Sequence, residues 1–496
     1  MEEIIQYFAE VCINRFIEAH NKFFKEPDSF AELEKETVCI VDDLGKEFIR
    51  VTLEEINRCF RASDWRKEKW HIEKTNKKQL ITSLGTVCFN KTLFASKTEK
   101  TDEGKELMCY LLDKAVGFEE HQRMSEGAME RLYEEAVQTS YRKGGEAVSP
   151  EDKVTKQAVK DLLHKTKFPP NYQIPEQKKA VNELYIDADE DHYSLQFQNR
   201  KGDIERDDRG HKKNGAITKL IYVYEGIEPE APRSKRNRLI NAHYFCRGDG
   251  DNKALWDEVY AYIEAHYEID KIKQIYLNAD GGTWIKAGQR RIHGINYVLD
   301  EFHLSKTLLK ITGHMLDSQQ DARERLCKII RSGTREDFQQ EIEILKGYAE
   351  KEKTKERIQK TAEYILNNWT AAKKRLWKKD GVVACSAEGH VYHALSSRMS
   401  TLAMGWSRHG ASQMARLREY YLNGGNMLEL ARYQKAEIPK AAGAEELALS
   451  AHDMLKSITG WRTKTEHEIA KYTDVMTHTL SLQNKKKVTM NIHKYL

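Results

Sequence analysis

The sequence lacks the patterns that identify several common classes of protein. Its eight cysteines are scattered and no two form a CxxC pair, so neither a zinc knuckle nor a redox pair is indicated. No apolar run approaches the roughly 20 residues that a membrane helix needs, and MEEIIQYFAEVC carries acids where a signal peptide carries basic residues. Neither a Walker loop nor a GxSxG elbow occurs. We therefore expect a cytoplasmic protein with no membrane partner.

An excess of charge of one sign is also missing, because 81 basic residues stand against 77 acidic ones, for a net charge of +4. Total charge therefore does not indicate a nucleic-acid-binding protein, and any affinity for DNA must depend on local basic patches. Proline is scarce, with eight residues in 496, yet three of them fall in KFPPNYQIPEQ at 167–177. This stretch is the clearest linker.

The length of 496 residues predicts several domains, and the pattern of apolar residues changes along the chain. After the linker, strands alternate with a helix, and the chain then becomes helical and highly charged. The predicted class is multidomain α+β. The predicted segments are an N-terminal helix with a small β region at 1–100, a helical region at 101–168, the linker at 169–180, a strand-rich core at 181–313, a helical region at 314–380, a last core helix at 381–430, and a C-terminal helical region with a basic tail at 431–496.

The helical region before the linker resembles a helix-turn-helix. Gly144 and Gly145 separate two helical patterns, Ser149 fits an N-cap, and Pro150 fits the first helical position. Residues 150–164 are then the candidate recognition helix, and an ordinary helical pair with a solvated basic face is the alternative. The side chains expected to face a DNA groove are Lys153, Lys156, Gln157 and Lys160.

The first acidic cluster lies in ELYIDADEDHYSLQFQ, which we interpret as a strand, a polar turn and a second strand. Asp187 and Asp189 share one face of the first strand, where burying a carboxylate is costly unless a metal or a partner compensates. A calcium loop is excluded, because His192 and Gln198 stand where glycine and glutamate are needed. A phosphatase with an aspartyl nucleophile, the first carboxylate of a two-metal site, and a plain surface turn remain open.

Two further acids stand in comparable places. Asp280 follows the apolar strand IYL and precedes two glycines, which allow a loop to pass close to a ligand. Trp284 then follows, either to stack on an unpaired base or to pack in the core. Glu388 is expected in the first turn of a helix, where the helix dipole also favours an acid. Arg398, further along, would either hold phosphates or lie on an amphipathic core helix.

Three acids from two strands and a helix suit one particular chemistry. Two divalent metals roughly 3.5–4 Å apart can clamp the attacking and leaving oxygens of an in-line phosphoryl transfer. Carboxylate oxygens are the hard ligands that Mg²⁺ prefers, and substrate phosphate completes each coordination shell. Because the metals also activate the attacking water or 3′-hydroxyl, no histidine general base is required.

Taken together, IDADEDHYSLQ, NADGGTWI, DEFHLSK and AEGHVYHALSSRMSTLAMGWSRHGASQMARLR resemble the transposases of ISLre-type bacterial insertion sequences. These belong to the DDE transposase superfamily, whose catalytic core is ribonuclease-H-like. The resemblance runs along nearly the whole chain, and the order and spacing of the motifs are more specific than any one of them. It departs from the family at Ala279, where the loop before the second acid more often has glycine.

The resemblance implies that Asp189, Asp280 and Glu388 are the catalytic metal ligands, with Asp187 as a further candidate, and that 314–380 is an all-helical insertion in the core. Asp300 and His303 match a D-x-x-H motif that would orient the active site or the DNA end. The implied cofactor is a pair of Mg²⁺ ions, for which Mn²⁺ substitutes. The implied activity is binding of terminal inverted repeats, cleavage, and strand transfer into target DNA.

The implied protein is bacterial, associates with the nucleoid when bound to double-stranded DNA, and is at least a homodimer there. Two other functions remain as alternatives. One is a phosphatase-type hydrolase with Asp187 as nucleophile and Asp189 as acid/base, which leaves Glu388 without a role. The other is a DNA-binding relative that has lost catalysis although all three acids are present.

Overall fold

The computed structural model describes residues 2–436, apart from 101–103, 120, 198–204, 207, 209, 211–212, 235, 249, 251, 378–380 and 403. The described residues form two compact units. In the part of the chain that the structure describes, the first unit draws on 2–136, 141–159 and 427–436, and the second on 137–140 and 160–426. Most of the C-terminal helical region and basic tail predicted at 431–496 lies outside the described residues.

The first unit begins with helices and continues into a small antiparallel sheet. Its first elements are α1 (Glu2–Tyr7), a π-helical turn (Phe8–Cys12), α2 (Ile13–Lys25), α3 (Phe30–Ala62), α4 (Asp64–Lys69), β1 (Trp70–Thr82), β2 (Gly85–Lys100) and β3 (Glu106–Cys109). β1 and β2 form a hairpin in which Thr82 lies opposite Gly85, within the small β region that the sequence predicts in 1–100. Phe60 of α3 packs with Phe94 of β2 in a small hydrophobic core.

The next helices are α5 (Leu111–Val116), α6 (Glu126–Gln138), α7 (Tyr141–Glu146) and α8 (Lys156–Lys165). The prediction of a recognition helix that starts at Pro150 was wrong in its start. Val154 N donates to Gly145 O at 2.9 Å, which holds the intervening residues in a loop. Gly145 itself lies inside α7 and does not separate two helices.

The cap of α8 is therefore a different residue from the one expected. Thr155 Oγ1 accepts a hydrogen bond from Ala158 N at 3.3 Å, as an N-cap does. Ser149 instead accepts from Asp152 N within the loop, at 2.9 Å. Lys153 consequently precedes the helix, whereas Lys156, Gln157 and Lys160 lie on it.

The second unit contains a five-stranded mixed sheet. Its strands are β4 (Glu183–Ser194), β5 (Gly215–Tyr224), β8 (His243–Arg247), β9 (Gln274–Ala279) and β10 (Ile295–Leu299), while β6 (Gly226–Pro229) and β7 (Asn237–Ile240) form a separate two-stranded ribbon. The order across the sheet is β10-β9-β4-β5-β8. β10, β9 and β4 run parallel, and β5 pairs antiparallel with both β4 and β8.

The polar turn predicted after Asp189 was wrong, because β4 is one continuous strand. It pairs with β5 from Tyr185 opposite Tyr224 as far as Ser194 opposite Gly215. Partners on a neighbouring strand thus override the local polarity of the EDH sequence.

Helices surround this sheet. They are α9 (Asn252–His266), a 3₁₀ turn (Ile269–Lys271), α10 (Thr283–Arg291), α11 (Glu301–Thr312), a 3₁₀ turn (Leu316–Ser318), α12 (Gln319–Ser332), α13 (Arg335–Gly347), α14 (Glu352–Asn367), α15 (Trp369–Trp377), α16 (Ala387–Val391), a π-helical turn (Tyr392–Ser396), α17 (Ser397–Met399) and α18 (Arg408–Leu422). α19 (Met427–Ala436) returns to the first unit. The second unit is therefore mixed α+β, and the stretch from α12 to α15 is helical, as its charge pattern indicates.

The two faces of β4 have different surroundings. Leu184, Ile186 and Ala188 are buried in one hydrophobic core that also includes residues of α9 to α15. Side chains alternate along a strand, so Asp187 and Asp189 lie on the opposite face. In the part of the chain that the structure describes, no helix combines the length and the apolar character needed to cross a membrane.

Candidate functional site

Three aspartates lie at the same edge of the sheet, each at the carboxyl end of a parallel pairing. β4 and β9 pair in register up to Ala188 opposite Ala279. Asp189 and Asp280 are therefore the next residues of the two paired segments. β10 pairs with β9 up to Leu299 opposite Ala279, and Asp300 comes next. Asp300 N also donates to Ala279 O at 2.9 Å. Side chains far apart in sequence are thereby brought to one site.

The carboxyl group of Asp189 is difficult to ionise in its surroundings. Burial raises the pKa of its carboxyl to about 7, and the carboxylates of Asp280 and Asp300 act in the same direction. The backbone N–H of Glu190, which donates to Asp189 Oδ1 at 2.8 Å, and the nearby His303 oppose this shift. A cation at this position would therefore lower the pKa of Asp189 and stabilise the ionised form.

The Asp280 loop is held by short-range and long-range contacts. Gly282 N donates to Asp280 Oδ1 at 2.9 Å, and Tyr364 OH donates to Asp280 O at 2.5 Å. Gly281 has φ +93°, and a Cβ atom there would lie 2.8 Å from Asn368 Oδ1. The first glycine of the pair is thus required by both its backbone angle and its neighbours.

Asp300 and His303 form a local pair at the start of α11. Asp300 is the N-cap and accepts from Phe302 N and His303 N, and its Oδ2 lies 2.7 Å from His303 Nδ1. This contact raises the pKa of His303. Burial alone would raise the pKa of Asp300, but its hydrogen bonds with His303 bring it below the ordinary value. The D-x-x-H motif is therefore a hydrogen-bonded aspartate–histidine pair beside Asp189 and Asp280.

Asp187 lies in different surroundings from Asp189, although both share a face of β4. It is fully buried and accepts hydrogen bonds from Tyr222 OH at 2.8 Å, Tyr224 OH at 3.1 Å, Asn278 Nδ2 at 2.7 Å and Ser386 N at 3.2 Å. Burial raises its pKa, and these four donors act against that shift. Both oxygens are engaged inside the protein, which corrects the sequence-based assignment of Asp187 as a metal ligand or a nucleophile.

Glu388 lies where the sequence predicts, in the first turn of α16, and it is exposed. Two residues earlier, Ser386 N donates to Asp187, which ties the start of α16 to β4. Among the described residues, no group of three or more His, Cys, Asp and Glu side chains is arranged to hold a metal ion. The structure thus brings Asp189 and Asp280 together but does not add Glu388 to them as a third ligand.

Two side chains for which DNA contact was one of two interpretations are buried, which favours the other interpretation, packing in the core. Trp284 is 5% exposed, its Nε1 donates to Glu190, and its carbonyl accepts from Trp256 Nε1 at 3.0 Å. Arg398 is 1% exposed, and its guanidinium lies 5.0 Å from the centre of the Trp406 ring. Neither side chain can reach a base or a phosphate in this conformation.

Several residues that hold the site together were missed by sequence reasoning. Arg375 falls in the charged stretch KKRLWKK, which is typical of a solvated helix face, yet it is 3% exposed. Asn278 gave a usable signal, because it is the one polar residue in the apolar strand IYLNA. Tyr222 and Tyr224 share a face of β5, two residues apart like Asp187 and Asp189, but only the register of β4 and β5 brings them together.

The fold and site define an α+β protein with an acidic cluster where the parallel pairing of its central strands ends. The chain belongs to the Uncharacterised protein family (UPF0236), whose model matches residues 24–436. A UPF0236 protein of Caldanaerobacter subterraneus subsp. tengcongensis, whose name joins eleven gene designations, is 32% identical over 469 residues, covering 94% of this chain and 93% of the relative. Another from the same organism, whose name joins four gene designations, is 32% identical over 93% of this chain and 91% of its own length.

A more distant relative is found in Streptococcus gallolyticus. It is a UPF0236 protein named for the vanSb 3′ region, and it is 25% identical over 459 residues. The match covers 88% of this chain and 91% of the relative. The similarity therefore extends across both units of the described structure.

Proposed function

We propose that this chain is a DNA transposase of an insertion sequence, which binds terminal inverted repeats and catalyses metal-dependent cleavage and strand transfer. The observation that carries the proposal is the pair of carboxylates, Asp189 and Asp280, which directly follow the last paired residues of the parallel strands β4 and β9. Two adjacent acids with a raised pKa on one of them form the kind of site that a hard divalent cation stabilises. The five-stranded mixed sheet is compatible with the ribonuclease-H-like core that the motif resemblance implies.

The names of the relatives give independent support. One relative has eleven gene designations in a single organism, and a second has four. A gene that occurs many times over in one genome is the pattern that a self-copying element leaves. A phosphatase or another housekeeping hydrolase has no physical reason to be repeated in this way.

In the proposed site, Asp189, Asp280 and Glu388 would hold two Mg²⁺ ions, for which Mn²⁺ substitutes. Bound there, such ions would supply stabilisation of the charge on the attacking and leaving oxygens. Glu388, in the first turn of α16, would supply the third carboxylate. His303, held by Asp300, would keep a positive charge beside the acids and near an incoming phosphate.

The phosphatase alternative is disfavoured by the position of its nucleophile. Asp187 is fully buried, and its four hydrogen bonds would have to break before it could attack a phosphorus atom. A DNA-binding relative without catalysis would bind the same DNA but would not cleave or insert it. An assay of DNA cleavage or insertion therefore decides between these two functions.

The test is a mobility assay with a selectable marker placed between the native DNA flanks of the coding region, and with the protein supplied separately. The wild-type chain should produce marker insertions at new sites, each bordered by a short duplication. Asp280→Asn should abolish them, because an amide cannot replace the anionic ligand. The matched control is Asp270→Asn, an exposed aspartate in the turn before β9, which should retain wild-type frequency. Insertion at wild-type frequency by Asp280→Asn would contradict the proposed site.

A further inference from the structure

A buried arginine of α15 contacts three of the segments that carry the acids. Arg375 Nε donates to Leu299 O, next to Asp300, at 2.7 Å. Its Nη1 donates to Val383 O and its Nη2 to Asn278 Oδ1, each at 2.7 Å. A guanidinium presents several donors in a rigid fork, so one side chain fixes the spacing of three chain segments.

Asn278 connects this arginine to a buried carboxylate. Its Nδ2 donates to Asp187 Oδ1 at 2.7 Å, while its Oδ1 accepts from Arg375. Asp187 Oδ2 in turn accepts from Ser386 N at 3.2 Å. The three side chains form a hydrogen-bonded chain in which the Asn278 amide bridges Arg375 and Asp187, and both ends of the chain bind the same stretch of backbone.

That stretch, 383–386, has no regular secondary structure and leads directly into α16. Arg375 holds its carbonyl group at Val383, and Asp187 holds its amide group at Ser386. A segment without a helix or a sheet to order it depends on such side-chain contacts for its position. Glu388 follows two residues after the second anchor.

The energetics of the three side chains are strongly coupled. Arg375 and Asp187 are 3% and 0% exposed, so water does not solvate either side chain. Removing one of them leaves buried hydrogen-bonding groups of its partners unsatisfied, which is more destabilising than the loss of a solvated hydrogen bond.

We propose that Arg375, Asn278 and Asp187 are positioning residues, which anchor 383–386 at both ends and thereby set where Glu388 stands relative to Asp189 and Asp280. This inference rests on the proposed function, and it gives Asp187 a role in the site that is not metal binding. Arg375 belongs to the helical stretch 319–377, so that stretch also acts on the geometry of the acids.

The anchoring is tested by amide hydrogen exchange of the full chain, read by mass spectrometry on peptides that cover 383–391. Asp187→Asn replaces an acceptor of the Ser386 amide with a group that donates, and Arg375→Lys loses the fork. A hydrogen bond to a charged group contributes on the order of 10- to 100-fold in an equilibrium constant, so exchange in this peptide should rise by about that factor. The matched control, Arg247→Lys on β8, breaks a buried ion pair with Glu419 and should leave the peptide unchanged.

The positioning role is tested by DNA cleavage measured against Mn²⁺ concentration. Both variants should raise the half-saturating Mn²⁺ concentration about tenfold or more, because a displaced Glu388 no longer completes the site. A merely destabilised protein would lower the maximal rate and leave that concentration unchanged, as Arg247→Lys should.

Each outcome is decisive for one part of the proposal. Unchanged exchange at 383–391 in both variants would overturn the anchoring. Faster exchange with an unaltered Mn²⁺ dependence would overturn the positioning of Glu388. If the wild-type chain cleaves no DNA, the proposed function fails, while the exchange experiment still decides whether 383–386 is anchored as described.

Discussion

Asp189→Asn should change how the stability of the metal-free protein depends on pH. In the wild-type chain the carboxyl is buried beside Asp280 and Asp300, so ionising it in the folded state is unfavourable. Asparagine has nearly the same shape and cannot ionise. The variant should therefore lose the part of the pH dependence that belongs to this one residue.

The sign and size of this change in pH dependence follow from the raised pKa of Asp189. The folded-state pKa of about 7 lies above the ordinary aspartate value, so the folded chain binds the proton more tightly than the unfolded chain does. The stability contributed by protonated Asp189 is complete below about pH 4 and is lost as the pH rises through 7. A shift of about three units corresponds to about 4 kcal/mol.

The assay is chemical denaturation of both chains in EDTA, at several values between about pH 5 and about pH 8. The free energy of unfolding of Asp189→Asn, relative to wild type, should rise with pH toward that figure. Asp270→Asn, at an exposed position, is the control and should show a constant difference. Acids that do not interact with Asp189 titrate equally in both chains and cancel in the comparison.

Divalent ions provide the second half of this test. At about pH 8, Mg²⁺ at 100 times its dissociation constant should stabilise the wild-type chain by about 2.7 kcal/mol and Asp189→Asn by much less. If the difference in the free energy of unfolding between the two chains does not vary with pH, the raised pKa of Asp189 is refuted. Equal stabilisation by Mg²⁺ would refute its role as a ligand.

Three other predictions use substitutions elsewhere. Gly288→Ala should destabilise the chain by about 1–3 kcal/mol or more in denaturation, because its Cβ would lie 2.3 Å from the Trp256 ring, whereas Gly347→Ala meets nothing within 4 Å and should be neutral or stabilising. Trp284→Phe should cost about 1–3 kcal/mol of stability through its lost indole hydrogen bond and leave the DNA dissociation constant unchanged, a result that a base-stacking role would reverse. Lys156→Ala, at an exposed position of α8, should reduce the salt dependence of DNA binding by about one unit of slope, and an unchanged slope would remove α8 from the interface.

The sequence predicts local features of the site well. The strand that ends just before Asp280 and the helix whose first turn holds Glu388 are both confirmed. Such features depend on apolar periodicity, glycines and N-terminal acids within a few residues, which a single sequence displays. The small β region predicted in 1–100, where β1 and β2 form a hairpin, depends on the same kind of local pattern.

The features that the sequence could not predict depend on distant partners. Asp187 and Asp189 are equivalent by strand alternation, yet only Asp187 is shown to accept hydrogen bonds from distant segments, from residues 35, 91 and 199 positions away. The continuation of β4 past Asp189 depends on β5, and the late start of α8 depends on the contact between Val154 and Gly145. No local pattern encodes these pairings.

In the proposed function, Asp189 and Asp280 hold the metal that DNA cleavage requires. The most direct measurement is cleavage of a labelled duplex, made of the coding region's end and its native flank, by purified protein in EDTA, Mg²⁺ or Mn²⁺. We predict specific cuts at the end with either metal, none in EDTA, and none with Asp189→Asn or Asp280→Asn, although both variants still bind the duplex. Cleavage in EDTA, or full cleavage by either variant, would contradict the account.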